Sequence, residues 1–177
     1  EISVEEKATG EISAGAGVGT DGTSFMFAVS ENNWLGRGIQ LQTALNVSNE
    51  RISGNINVAN PNYNYSGNAV RAGFNLSSTD RASNSGYKST RTGFNLGTSF
   101  EQYENIFLSP AINLSFEDIE VEGDASTTLK KMEGSYENLD FSYGVTLDKR
   151  NQSFQPTEGY ILRFDQDVPL IQDKSSL

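Results

Sequence analysis

The chain has 177 residues, 36% of them hydrophobic, with a mean hydropathy of −0.47 and a net charge of −10 from 13 Lys+Arg and 23 Asp+Glu. That length suffices for one domain-sized unit, and the acidic balance argues against nucleic acid, since no basic stripe is present to neutralise phosphates. Cysteine and histidine are both absent, which removes disulfides, thiolate metal sites and the usual general base. No apolar run approaches the ~18 residues of a transmembrane helix. A transmembrane β-barrel escapes that test, because only alternate residues of strands about 10 residues long need be apolar.

In chain order the pattern is a period of two, the signature of strands. The first run carries Ile12, Ala14, Ala16 and Val18 on one face and Ser13, Gly15, Gly17 and Gly19 on the other. It predicts a weak strand, since glycine contributes no side-chain packing. Better runs follow at Phe25/Phe27/Val29, Ile39/Leu41/Leu45/Val47, Ile52/Ile56/Val58, Val70/Ala72/Phe74/Leu76, Thr90/Thr92/Phe94/Leu96, Ile106/Leu108/Ile112/Leu114/Phe116, Leu139/Phe141/Tyr143/Val145/Leu147 and Leu162/Phe164/Val168. With the first run these make about nine strands, and no helical period competes. Pro110 interrupts its run and predicts a local irregularity there. The stretch R-A-G-F-N-L (71–76) nearly recurs as R-T-G-F-N-L (91–96), which reads either as a trace of hairpin duplication or as two strands built from the same residue types.

The fold class expected is all-β: an antiparallel up-and-down meander, an incomplete part of a transmembrane β-barrel. The faces opposite the apolar ones hold Gly, Ser, Asn, Gln and Thr with scattered Arg and Asp, a composition suited to a crowded wet interior. A soluble β-sandwich with a binding role is the remote alternative. In an up-and-down sheet the even-numbered junctions share one end. These carry the aromatics Trp34, Tyr63, Tyr65, Phe100, Tyr103, Phe154 and Tyr160, as a membrane interface selects. The other end has two-residue turns at Asp21-Gly22 and Asn49-Glu50 and two polar stretches expected as long loops, 78–88 and 117–137. Short turns at one end and long loops at the other match outer-membrane barrels.

Four segments carry a family resemblance. Asn32-Asn33-Trp34-Leu35-Gly36-Arg37-Gly38 resembles the D-N-x-L-G-x-G turn after the second barrel strand of BamA-type outer-membrane assembly factors. Val58-Ala59-Asn60-Pro61-Asn62-Tyr63 resembles their x-x-N/D-P-Y-F segment, and Phe154-Gln155-Pro156-Thr157-Glu158-Gly159 their F-P-T-D/E-G turn with one residue inserted. The opening V-E-E-K-A-T-G resembles the junction between their last periplasmic POTRA domain and the first barrel strand. The segments occur in order and span nearly the whole chain. The resemblance implies residues 1–8 as the end of a POTRA domain or linker and 9–177 as the N-terminal part of a barrel. It also implies a bacterial outer-membrane location, membrane lipid, unfolded outer-membrane protein clients and accessory lipoproteins as partners, and no enzymatic activity. The backbone of Ile12 to Gly19 is then the seam strand, weak enough to open sideways. The alternatives kept open are a polypeptide-secreting relative (two-partner secretion or TamA-like) and a passive porin.

No chemistry competes. The serines lack a histidine partner, Gly15-x-Gly17-x-Gly19 precedes no helix, and the acids at Glu117, Asp118, Glu120, Glu122 and Asp124 lack a calcium-loop spacing. No cofactor and no metal are expected, and the Asn-x-Ser triplets, including that at Asn151, read as composition.

Overall fold

A computed structural model describes residues 7–19, 22–123 and 125–172. The expectations for residues 1–6, Asp21, Asp124 and the last five positions lie outside the described residues. The strands are β1 (Gly10–Gly19), β2 (Gly22–Trp34), β3 (Ile39–Ser48), β4 (Arg51–Tyr63), β5 (Asn68–Arg81), β6 (Tyr87–Tyr103), β7 (Ile106–Val121), β8 (Gly134–Asp148) and β9 (Ile161–Gln172). Two single-turn helices join them, α1 (Ala82–Ser85) and α2 (Thr127–Lys130). All nine strands form one antiparallel sheet in sequence order, β1 to β9, and β1 and β9 each have one neighbour. The up-and-down meander expected from the alternation is therefore the observed topology.

Directly opposed residues share a face, so the registers trace each face across the sheet. One file runs Ile12, Val29, Thr43, Ile56, Phe74, Phe94, Leu114, Leu139, Ile171, across all nine strands. No hydrophobic side chain is buried among the described residues, and apolar groups such as Phe25 (59%) and Leu96 (58%) stay open. A sandwich would bury this face against a second sheet. There is one layer here, which removes the sandwich alternative.

Glycine positions show how closely side chains interlock on each face. On the polar face a Cβ at Gly73 would come 2.6 Å from Asn57 Oδ1, one at Gly93 2.5 Å from Asn75 Oδ1, and one at Gly144 2.7 Å from Asp165 Oδ1. On the apolar face a Cβ at Gly54 would meet nothing closer than 3.6 Å. In the middle of the sheet the polar face is thus the crowded one. It frames a groove of about 420 Å³ lined by Arg51, Asn55, Asn75, Arg91, Asn95 and Asp140 among others.

The G-F-N recurrence gains a physical reason from this. Phe74 lies opposite Phe94, ring centroids 5.0 Å apart, which sets Gly73 opposite Asn95 and Asn75 opposite Gly93. Each glycine leaves the space that the partner strand's asparagine fills. In antiparallel pairing the motif is complementary to itself.

Two expectations need correction. The segments 78–88 and 117–137 are largely strand: β5 and β6 pair out to Arg81↔Tyr87, and β7 and β8 out to Ile119↔Gly134. Only 82–86 and 122–133 lie between strands there. Past the apolar band neither face meets lipid, so the alternation that marks a strand in sequence fades while the backbone ladder continues. The length contrast between the two ends also fails, because junction 149–160 is as long as 122–133. At Pro110 the irregularity is a gap and not a shift. The β6–β7 pairing passes from Gly97↔Ala111 to Phe100↔Leu108 in one register, with Pro110 between, while Pro110 stays paired with Tyr143 on the β8 side.

Candidate functional site: a free edge and a row of turns

The candidate seam strand, Ile12 to Gly19, forms the outer strand of the sheet. Its pairing with β2 is unbroken from Gly10↔Glu31 to Gly19↔Gly22. Side chains add little to that ladder. A Cβ at Gly15 would find only Met26 Cε at 4.0 Å, one at Gly17 only Ser24 Oγ at 3.4 Å, and one at Gly19 nothing within 4 Å. Ile12 and Val18 are 72% and 87% exposed. One backbone edge of β1 faces no strand of this sheet.

The strand's foot is held differently. Thr9 Oγ1 donates to Glu31 Oε1 at 2.5 Å, and the Asn33 backbone N–H donates to the same oxygen at 2.7 Å. Thr9 O accepts from the Asn32 N–H at 3.2 Å and from Asn32 Nδ2 at 3.3 Å.

The motif-bearing turns lie together at one end of the sheet. In the β2–β3 turn Gly36 and Gly38 have φ of 68° and 65°, values that glycine adopts without steric cost. Asn33 Oδ1 accepts from the Gly38 N–H at 2.6 Å, and Asn33 O from the Gly36 N–H at 2.9 Å. The β4–β5 turn repeats this 29 residues on. Asn62 Oδ1 accepts from the Gly67 N–H at 2.8 Å and Asn62 O from the Tyr65 N–H at 3.2 Å. Both turns follow a register shift, at Glu31/Trp34 and at Asn60/Tyr63; Pro61 sits within the second, where the ladder is already broken. Tyr65 takes the place of Gly36 with φ 56°. The shared pattern is N-[W/Y]-x-x-x-G, visible in sequence at 33–38 and 62–67. It marks Asn33, Asn62 and Gly67 as the residues that hold these turns.

The third motif is the connection 149–160. Asn151, first read as composition, organises it. Its Oδ1 accepts from the Thr157 N–H at 3.2 Å and the Glu158 N–H at 3.4 Å, while Nδ2 donates to Thr157 Oγ1 at 2.8 Å. The loop's neck is closed by the Lys149 N–H donating to Tyr160 O at 2.9 Å. Phe154 (80%) projects into solvent and Pro156 lies exposed beside it. Gly159 has φ +93°.

At this loop's entrance, beyond the last apolar pair Leu147↔Leu162, Arg150 grips Asp148. Nε donates to Oδ1 at 2.8 Å and Nη2 to Oδ2 at 2.6 Å, the fork geometry that strengthens a charged hydrogen bond. These side-chain bonds, then the Arg150 backbone N–H, bring the Asp148 carboxyl from 3.8 down to about 2. A depressed folded pKa gives stabilisation that is complete above the unfolded value and lost as pH falls through the folded one. Amide resonances of 149–160 are expected to shift between pH 3.8 and about 2, and to lose that titration in Asp148→Asn.

The interface aromatics separate into two groups. Trp34 opposes Ile39, Phe100 opposes Leu108 and Tyr103 opposes Ile106, which places all three on the apolar face; Tyr63 opposes Asn68 there. Phe100 and Tyr103 are part of β6 and not of a junction. Tyr65 (94% exposed) belongs to a turn, and Tyr160 to the neck of the last loop. The acidic residues 117–123 gather no metal-binding group among the described residues.

The outer membrane protein assembly factor BamA of Neorickettsia risticii (strain Illinois) is 28% identical over 168 residues, covering 93% of this chain and 22% of the relative. The crystal structure of BamA from Haemophilus ducreyi lacking POTRA domains 1–3 superposes with a TM-score of 0.62 at 18% identity, covering 94% of this chain and 35% of that one. The chain therefore spans about a fifth of the curated relative's length. Residues 33–176 match the Omp85 superfamily domain, and the chain belongs to that superfamily.

Proposed function

We propose that this chain is the N-terminal barrel wall of a BamA-type assembly factor, which folds and inserts other proteins into the bacterial outer membrane through a seam at β1. The observation that carries the proposal is the contrast along the sheet. β5 and β6 interlock on the polar face through Gly73–Asn95 and Asn75–Gly93, whereas the same face of β1 carries Gly15, Gly17 and Gly19 with little packed around them. Cross-strand side-chain pairs each stabilise by roughly 0.2–1 kcal/mol, and along Gly15, Gly17 and Gly19 they are missing. A seam with side chains on one face only opens at low cost, and its free N–H and C=O groups can take up an incoming strand by β-augmentation. Clients are unfolded outer-membrane proteins; accessory lipoproteins and the periplasmic POTRA domains work at the end bearing the turns. Trp34, Tyr63, Tyr65, Phe100, Tyr103 and Tyr160 sit at the lipid interface on that side. The reading is non-enzymatic and needs no cofactor.

The test is a disulfide in the full-length protein between a cysteine placed within 12–19 and one in the last barrel strand. Locking the seam is expected to stop accelerated barrel folding in liposomes, with recovery on reduction. Undiminished activity of the locked protein overturns the gating mechanism. A large steady ion conductance without folding activity would favour the porin.

A further inference from the structure

The foot of β1 differs from the rest of the strand, and the difference centres on one carboxylate. Glu31 lies on the apolar face, directly between Gly10 of β1 and Leu41 of β3. A carboxylate there is costly unless hydrogen-bonded. The bond from Thr9 ties the start of β1 to the end of β2, and the bond from Asn33, two residues on in β2, holds the carboxylate in place. Oε1 receives the Thr9 hydroxyl at 2.5 Å and the Asn33 N–H at 2.7 Å. Oε2 occupies the space a Cβ at Gly10 would need, 2.6 Å from that position. Asn32 closes the other side through both of its N–H groups on Thr9 O. Seven residues further along β1, the glycine face offers only the Ser24 hydroxyl, which donates to Gly17 O at 3.5 Å.

We propose that Glu31 is a positioning residue: it clamps Thr9 and the backbone beside Gly10, so that β1 stays registered on β2 at its foot and yields from its glycine-rich far end. The clamp lies on the β1–β2 side, leaving the seam edge free. Gly10 is required because any side chain there displaces the carboxylate. The inference rests on the seam reading for its purpose but not for its detection. As strand β1 deforms, the foot fixes where pairing with an incoming strand begins, and the outer half adapts to it.

The test is hydrogen exchange of the full-length protein in liposomes, comparing amides of 10–12 with those of 16–19. In the wild type the foot is expected to exchange more slowly than the far end. Glu31→Ala should raise exchange at 10–12 by about tenfold, the loss of the charged hydrogen bond from Thr9, and leave 16–19 and β3–β5 unchanged. Glu31→Gln, which retains the acceptor, should restore protection, and Gly10→Val should reproduce Glu31→Ala. Unchanged exchange at 10–12 in Glu31→Ala, or an equal rise along all of β1, overturns the clamp. Exchange reads the clamp directly and the disulfide lock reads the gating mechanism, so either can fail while the other stands.

Discussion

Gly159→Ala is expected to disrupt the entry into β9 more than any other glycine substitution among the motif turns. Gly159 has φ +93°, and an added Cβ would run into the Lys149 carbonyl and come within 2.7 Å of Arg150 Cα. Both obstacles are backbone, so neither can rotate away. The conformation alone costs a non-glycine residue about 1–3 kcal/mol, and relief of the contact must break the Lys149–Tyr160 neck that closes the loop. Gly36→Ala is the internal comparison. It has φ +68° but nothing within 4 Å, so only the left-handed cost of about 1–2 kcal/mol applies. Urea titration of the full-length barrel in liposomes should rank Gly159→Ala below Gly36→Ala, and both below wild type. Equal midpoints for the two variants would mean that the neck is not a fixed point of the fold.

Ile56→Arg is expected to destabilise the membrane-inserted barrel by about 2–4 kcal/mol, the cost of a cation at the bilayer midplane. Ile56 sits in the central apolar file, between Thr43 and Phe74, and is 48% exposed. Gln42→Arg is the matched change on the polar face, where Gln42 lies between Ser30 and Asn57. There the guanidinium meets water, and the expected effect is within about 0.5 kcal/mol. The pair isolates facing from charge and strand position. Equal costs for the two would reject the assignment of the apolar face to lipid, and with it the barrel.

The alternation read from residues such as Phe25, Phe27 and Val29 placed every strand, because lipid on one face and water on the other forces a period of two. What the sequence did not disclose follows from the same physics. Ser78 to Arg81 pairs as strand, yet both its faces meet water, so no alternation marks it. Asn33 and Asn62 act through hydrogen bonds that look like turn composition until their 29-residue offset is noticed. Glu31 carried no signal, since a lone acid near a turn is ordinary; only Gly10 opposite it reveals the clamp. The fold was therefore more legible than the candidate site, which rests on backbone edges and turn hydrogen bonds that no side-chain alternation encodes.

The sequential order of the sheet also governs the kinetics of its assembly. Each of its eight pairings joins neighbours in sequence, and such local pairings form quickly because little chain must be immobilised beforehand. The wall can grow hairpin by hairpin from either end. The proposed seam is the exception, because it needs β1 to meet a strand from the far end of a complete barrel. Closing a chain on itself carries an entropic penalty that rises as (3/2)RT ln n with the length enclosed. Glycine along β1 leaves that last pairing with the fewest contacts to offset the penalty. Under the proposed function, the step that finishes the barrel is for that reason the slowest to close and the first to reopen.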